Sequence, residues 1–218
     1  MQLIQRLRNL LLAGLIGTSF SATAAVVAGK DYLPLNPPQP TESGNKIEVL
    51  EAFSYGCSHC AEFEPKLAPW VKSQPADVNF RRLPVTFNRE PWANLARAYY
   101  SLDALGQLDK LHPKVFEAMH KEGVNLTDQQ TLTDWMAKQG IDKKKFGDTF
   151  KSFGVQTKVQ RIPQLTKAYM VEGVPTIIVA GKYRTSTDLT GTYENLLRVT
   201  SELIDLARKQ QAGAPAKH

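Results

Sequence analysis

Hydrophobic and polar positions change their spacing several times along the chain, and each change marks an element. Residues 30–36 alternate polar and apolar ahead of Pro37 and Pro38, which predicts a short edge strand, because proline cannot donate in a central ladder. Ile47 to Tyr55 is nearly continuous in apolar residues, as a strand covered on both faces would be, with one charge inside the run, Glu51. A helical pattern opens at Cys57 and runs through Glu62, Phe63, Leu67 and Trp70, with a kink predicted at Pro65 and an end or bend at Pro69. Val78 to Phe87 predicts a second strand. Its period of two puts Phe80 and Arg82 on one face, offers Arg82 as a partner for Glu51 and leaves Arg81 solvated.

From Pro91 to about Ser152 the spacing is helical. Trp92, Leu95, Ala96 and Tyr99 form one stripe, and Leu108, Leu111, Val115, Phe116 and Met119 form another. Thr127-Asp128-Gln129-Gln130 predicts a capping box and Gly140 the end of that helix; His112 and His120 read as ordinary surface or satisfied histidines. A short helix over 143–153 and one over 155–170, bent or broken at Pro163, follow. Thr176 to Ala180 is a strand entered from Val174-Pro175, and Gly181-Lys182 turns it into Tyr183-Arg184-Thr185. The last helix, 193–209, carries Leu196, Leu197, Thr200, Leu203, Ile204 and Ala207, and 211–218 reads as a flexible tail.

Composition narrows the class. With 42% hydrophobic and 22% charged residues the chain is an ordinary globular protein, and its net charge of +6 is spread over scattered lysines, without the basic stripe of a nucleic-acid binder. The first 24 residues read as a secretory signal: Arg6 and Arg8, an apolar run from Leu10 to Phe20, then Ala22-Thr23-Ala24 as a small-residue cleavage pattern. Export implies an oxidising compartment.

Cys57 and Cys60 are the only cysteines. A structural disulfide stabilises most when it closes a long loop, and a two-residue gap closes almost none, so the pair reads as redox-active. At a helix start the first sulfur faces solvent among free N–H groups, and the second lies within bonding reach one turn on. Glu51 sits six residues upstream on the strand leading into the pair. A carboxylate there costs several kcal/mol unless paired or protonated, which points to proton transfer with the buried thiol.

The order of parts is now specific. A strand, a Cys-X-X-Cys helix, a strand, a helical segment, and Gly173-Val174-Pro175-Thr176 leading into a hairpin and a closing helix resembles an α/β thioredoxin-like fold with an inserted all-helical domain. Val49-Leu50-Glu51-Ala52-Phe53-Ser54 and Cys57-Ser58-His59-Cys60 resemble the DsbA family of periplasmic thiol:disulfide interchange proteins, over about residues 30–209. The resemblance implies a signal peptide over 1–24, a thioredoxin-like domain over 25–90 and 161–210, a helical insertion over 91–160 and a tail over 211–218. It implies that Cys57 is the exposed nucleophile and Cys60 the buried partner, that His59 helps hold the Cys57 thiolate, and that Glu51 handles the Cys60 proton. It also implies a cis-proline at Pro175 facing the disulfide, with Val174 offering backbone groups to a peptide, and puts Arg82 where the family has a lysine paired with the buried glutamate. A monomer in the periplasm is implied, with no cofactor or metal beyond the redox-active Cys57–Cys60 disulfide. Its partners would be unfolded exported polypeptides with free thiols and a quinone-linked membrane oxidase of the DsbB type.

Three other readings stay open on the residues alone. A reductase or isomerase of the same fold differs in reduction potential. A metal-binding module using Cys57, Cys60 and His59 differs in metal content, although His112, His120 and His218 lack ligand spacing to the pair. A chaperone-like module would survive Cys57→Ala.

Overall fold

The computed structural model describes residues 25–213; the expected signal segment, 1–24, and residues 214–218 of the expected tail lie outside them. Five strands, Leu33–Pro34 (β1), Ile47–Phe53 (β2), Val78–Pro84 (β3), Thr176–Val179 (β4) and Tyr183–Ser186 (β5), form one sheet in the order β1-β5-β4-β2-β3. All seven residues of β2 are buried, because an apolar run with no polar face can only be accommodated in the middle of a sheet. It pairs parallel with β3, setting Glu51 beside Arg82, and antiparallel with β4, setting Glu51 beside Ile177. Pro34 lies on the edge strand β1, where no ladder donor is missed.

Eight helices are described: Ser58–Lys72 (α1), Glu90–Ala104 (α2), Leu108–His120 (α3), Gln129–Lys138 (α4), Lys143–Phe150 (α5), Phe153–Ala168 (α6), Thr187–Thr190 (α7) and Tyr193–Ala212 (α8). Alternation along β2 decides what each face touches. Ile47 and Val49 pack with Ile177 and Val179 of β4 under Phe63 and Leu67 of α1 and Leu196, Val199 and Leu203 of α8. Leu50 and Ala52 face the other way, onto Ala96 of α2 and Val159 and Ile162 of α6. Phe53, Tyr55 and Cys60 belong to a third cluster with Leu95, Leu102, Leu111, Val115, Leu132, Met136 and Phe146, so the helical segment packs directly against the cysteine motif. Each large side chain fully buried here contributes roughly 1.5–3 kcal/mol.

Several local expectations shift. α1 continues through Pro65 and Pro69 to Lys72, and α6 through Pro163. All three prolines are exposed, on the side where helix carbonyls lean toward water and a missing N–H is replaced most easily. The cap of α4 is Asp128, accepting from Thr131 N–H at 2.8 Å, one residue later than Thr127. The β4–β5 turn is centred on Ala180 and Gly181, both at positive φ, with Lys182 N–H donating to Val179 O at 2.9 Å. The turn is thus one residue earlier than the sequence pattern placed it. Gly181 is obligatory there because a Cβ would collide with the Gln39 carbonyl. α8 extends to Ala212, so residues 211 and 212 are helical, and Val199 joins its buried stripe while Leu197 sits at its margin. β2 also buries a second charge, Glu48, which accepts from Ser43 Oγ at 2.6 Å, Glu42 N–H at 2.9 Å and Arg81 Nη1 at 3.1 Å. Arg81 is therefore a half-exposed ion-pair partner of Glu48 and Glu42, not a purely solvated side chain. Among the described residues no helix is long and apolar enough to cross a membrane.

Candidate active site

β2 delivers the chain to α1 through Ser54-Tyr55-Gly56, a turn closed by Cys57 N–H donating to Ser54 O at 3.1 Å and Gly56 N–H to Ser54 Oγ at 3.1 Å. Gly56 is required by close approach: a Cβ there would lie 2.8 Å from Trp92 Nε1 and 3.3 Å from Leu95 Cδ1. Cys57 is the N-cap of α1, with extended backbone, and its carbonyl accepts the first helical bond from Ala61. An oxygen-bearing side chain at this position would satisfy the free amides of the first turn. Here a sulfur takes that place. As a thiol, Cys57 Sγ donates to Val174 O at 3.4 Å; as a thiolate it faces the amides of His59 and Cys60. The Cys60 thiol first, then those two amides, then the His59 charge, draw the Cys57 pKa down from 9.0 to about 6 against the pull of burial.

Cys60 is one turn on, fully buried, and burial first, then its neighbour Cys57, pushes its thiol well above the ordinary value. Beneath it lies a chain of buried charge. Glu51, 1% exposed, accepts from Arg82 Nε at 2.9 Å. Arg82 Nη2 in turn donates to both carboxylate oxygens of Glu64, at 3.1 and 3.0 Å. Burial pushes Glu51 up to about 7; Arg82 opposes that shift and the Glu64 charge adds to it. Burial also works against ionised Glu64, yet the His112 ring facing it and the Arg82 guanidinium hold it below the usual range.

His59 projects into solvent from the first turn of α1, its Nδ1 3.6 Å from Glu62 Oε2. Tyr193, at the start of α8, sets its hydroxyl 3.1 Å from both His59 O and Glu62 Oε2, and its ring stacks on Phe63 at 5.2 Å. The Val174–Pro175 peptide is cis. His59, Gly173, Val174, Pro175, Asp188 and Tyr193 line a shallow groove at the edge of Cys57.

Cys57, Cys60, Glu51, Arg82, Val174 and Pro175 thus come from four separate stretches of chain to one place, with His59 at its rim. Four participants were not read from the sequence. Glu64 stands in the buried stripe of α1 with Cys60, Phe63 and Leu67, and a charge in such a stripe is the signal that marks it. His112, read as a surface or satisfied histidine, is not at the surface: it is 3% exposed, bonds the Tyr55 hydroxyl through Nδ1 at 2.8 Å and faces Glu64 with Nε2 at 3.4 Å. His120 Nε2 bonds the Tyr55 carbonyl at 2.7 Å. Tyr193 carried no sequence signal, because its partners are more than a hundred residues away. Among the described residues no group of three or more His, Cys, Asp or Glu side chains is arranged to hold a metal ion.

Residues 48–195 match the family model of the DSBA-like thioredoxin domain. The thiol:disulfide interchange protein DsbA of Pseudomonas syringae pv. tomato is 42% identical over 216 residues, covering 96% of this chain and 99% of that protein. The protein of the same description from Bordetella parapertussis is 43% identical over 204 residues, covering 93% and 97%. The crystal structure of DsbA from Pseudomonas aeruginosa superposes with a TM-score of 0.81 at 38% identity, over 86% of this chain and 97% of that one. A thioredoxin-like sheet, a cysteine capping its helix and likeness over almost the whole length converge on one assignment: the chain belongs to the DsbA family of thiol:disulfide oxidoreductases.

Proposed function

We propose that the protein is a periplasmic dithiol oxidase that donates the Cys57–Cys60 disulfide to newly exported polypeptides. The observation that carries this reading is the opposed state of the two sulfurs: Cys57 titrates near 6 at a helix cap, and Cys60 is buried and held protonated. A substrate thiolate attacks the Cys57 sulfur of the oxidised protein and Cys60 leaves. The substrate's second thiolate then attacks its own sulfur in the mixed disulfide, expelling Cys57 as a thiolate. A low-pKa leaving group speeds this second step and stabilises the reduced product, so both rate and equilibrium favour donation.

In this scheme Cys57 is the nucleophile and leaving group, Cys60 the resolving thiol and Glu51 the holder of its proton, and Arg82 fixes Glu51. His59 adds positive character beside Cys57. An extended peptide lies along the Val174–Pro175 edge, using backbone groups of Val174. The cysteine pair is the whole redox centre and calls for no added cofactor. Residues 1–24 direct export and are removed; 25–90 and 161–210 form the thioredoxin-like body, with 91–160 as a helical insertion. The mature monomer is reoxidised by a quinone-linked membrane protein of the DsbB type.

Cys60→Ser tests the assignment of roles. It is expected to accumulate mixed disulfides with exported proteins through Cys57, visible on non-reducing gels; accumulation only in Cys57→Ser would reverse the two roles.

A further inference from the structure

Glu51 and Glu64 share one guanidinium. Arg82 gives Nε to Glu51 at 2.9 Å and Nη2 to Glu64 at 3.0 and 3.1 Å, and all three side chains are largely out of water. One buried cation balances one buried carboxylate; the second stays neutral or carries a large desolvation cost. We propose that His112 decides which carboxyl keeps the proton: it donates Nε2–H to Glu64, holds Glu64 as the anion, and so leaves the proton on Glu51 beneath Cys60. This rests on the reading of Glu51 as the holder of the Cys60 proton, and makes His112 a positioning residue that acts through Glu64 and Arg82.

The tautomer follows from what surrounds the ring. Nδ1 lies 2.8 Å from the Tyr55 hydroxyl, and burial keeps that phenol protonated far above its ordinary range. Among the described residues the hydroxyl has no other acceptor, so its proton points at Nδ1 and the imidazole proton sits on Nε2. Tyr55 cannot easily turn away: its ring packs at 5.0 Å from Phe116 and 5.2 Å from Phe53, and its carbonyl accepts from His120. Nε2 is buried, has no partner in hydrogen-bonding geometry and faces Glu64 Oε2 at 3.4 Å, so Glu64 is the acceptor that a small turn of the ring would give it. The opposite tautomer would aim a lone pair at the carboxylate and drive the proton onto Glu64.

The titratable and charged groups facing this cluster are few. They are Glu51 from β2, Tyr55 from the turn, Cys57, Cys60 and Glu64 from the start of α1, Arg82 from β3, Tyr99 from α2, and Asp109 with His120 from α3. β4 places only Ile177 beside Glu51. Burial first, and also the Arg82 charge, hold the His112 pKa below its ordinary value in spite of Glu64, so it stays a neutral donor near pH 7. The proton held on Glu51 is then in place when the Cys60 sulfur leaves as a thiolate. It passes from the carboxyl to sulfur, giving a neutral thiol and a Glu51 carboxylate beside Arg82.

The test is nuclear magnetic resonance of the oxidised protein, reading side-chain carboxyl carbons and histidine ring nitrogens against pH. Wild type is expected to show Glu51 titrating well above the usual carboxylate range, Glu64 ionised well into acid, and neutral His112 protonated on Nε2. In His112→Phe the Glu64 midpoint should rise and the Glu51 midpoint fall by about one pH unit, or about tenfold in proton affinity, while His112→Gln, which still donates, should keep the wild-type order. A Glu51 midpoint unmoved in folded His112→Phe overturns the proposal. If that variant does not fold, the wild-type ring nitrogens decide, and His112 found protonated on Nδ1, or on both nitrogens at pH 7, overturns it. None of these readouts depends on disulfide donation, so a failure of the oxidase reading shows separately, in exchange assays.

Discussion

Cys57 and Cys60 are pulled in opposite directions because two residues of helix, Ser58 and His59, separate a cap from a core. At pH 7 a Cys57 thiol titrating near 6 instead of 9 is mostly ionised. Allowing for solvent screening at a part-exposed sulfur, that stabilises the reduced protein by about 1 kcal/mol, or about 20 mV for a two-electron couple. Thiolate absorbance of the reduced protein is expected to show its midpoint near 6, lost in Cys57→Ser. The folded pKa is depressed, so this stability is fully present above the ordinary thiol value near 9 and is lost as pH falls through about 6. Glu51 runs the other way. Its folded pKa is raised from 4.5 to about 7, so its contribution is present below 4.5 and is lost as pH rises through 7. Glu51→Gln should therefore flatten the decline in stability between pH 4.5 and 7.5, by about 2–3 kcal/mol in denaturant titrations. A variant that loses stability in parallel with wild type over this range would remove Glu51 as the group responsible.

At the scale of the element, the Ser54–Cys57 turn and the first turn of α1 set where the sulfur stands. Gly56→Ala would drive a methyl into the Trp92 and Leu95 side chains, and overpacking of that kind costs about 1–3 kcal/mol. The expected result is a lowered denaturation midpoint together with a raised Cys57 pKa, because the cap shifts relative to the amides it faces. This is also the scale at which the sequence is most legible. β2, α1 and β3 follow from their hydrophobic periods, and period two alone sets Arg82 on the face that meets Glu51. The prolines do not end their helices, because whether a helix survives a missing donor depends on which side faces water. The β4–β5 turn is one residue off, because Ala180 takes a positive φ that residue type does not advertise. Glu64 and His112 were harder to read for a different reason: a charge on an apolar stripe signals a buried group but not its role, and the partners that set the role lie on other elements.

The whole molecule explains why a helical segment interrupts the thioredoxin-like body. Trp92 and Leu95 of α2 press on Gly56, and His112, Phe116 and His120 of α3 grip Tyr55 by its hydroxyl, ring and carbonyl. α8 reaches back through Tyr193 to Glu62 and the His59 carbonyl. The cysteine motif is thus held from three sides by chain that the motif itself does not specify, which is why its chemistry was readable in the sequence and its tuning was not. All of that tuning converges on one quantity, the preference of the pair for the dithiol state. Equilibration of the mature protein with glutathione buffers at pH 7 measures it directly. The account predicts a reduction potential less negative than the thioredoxin value of about −270 mV. A potential at or below the thioredoxin value would contradict it and make the protein a reductase.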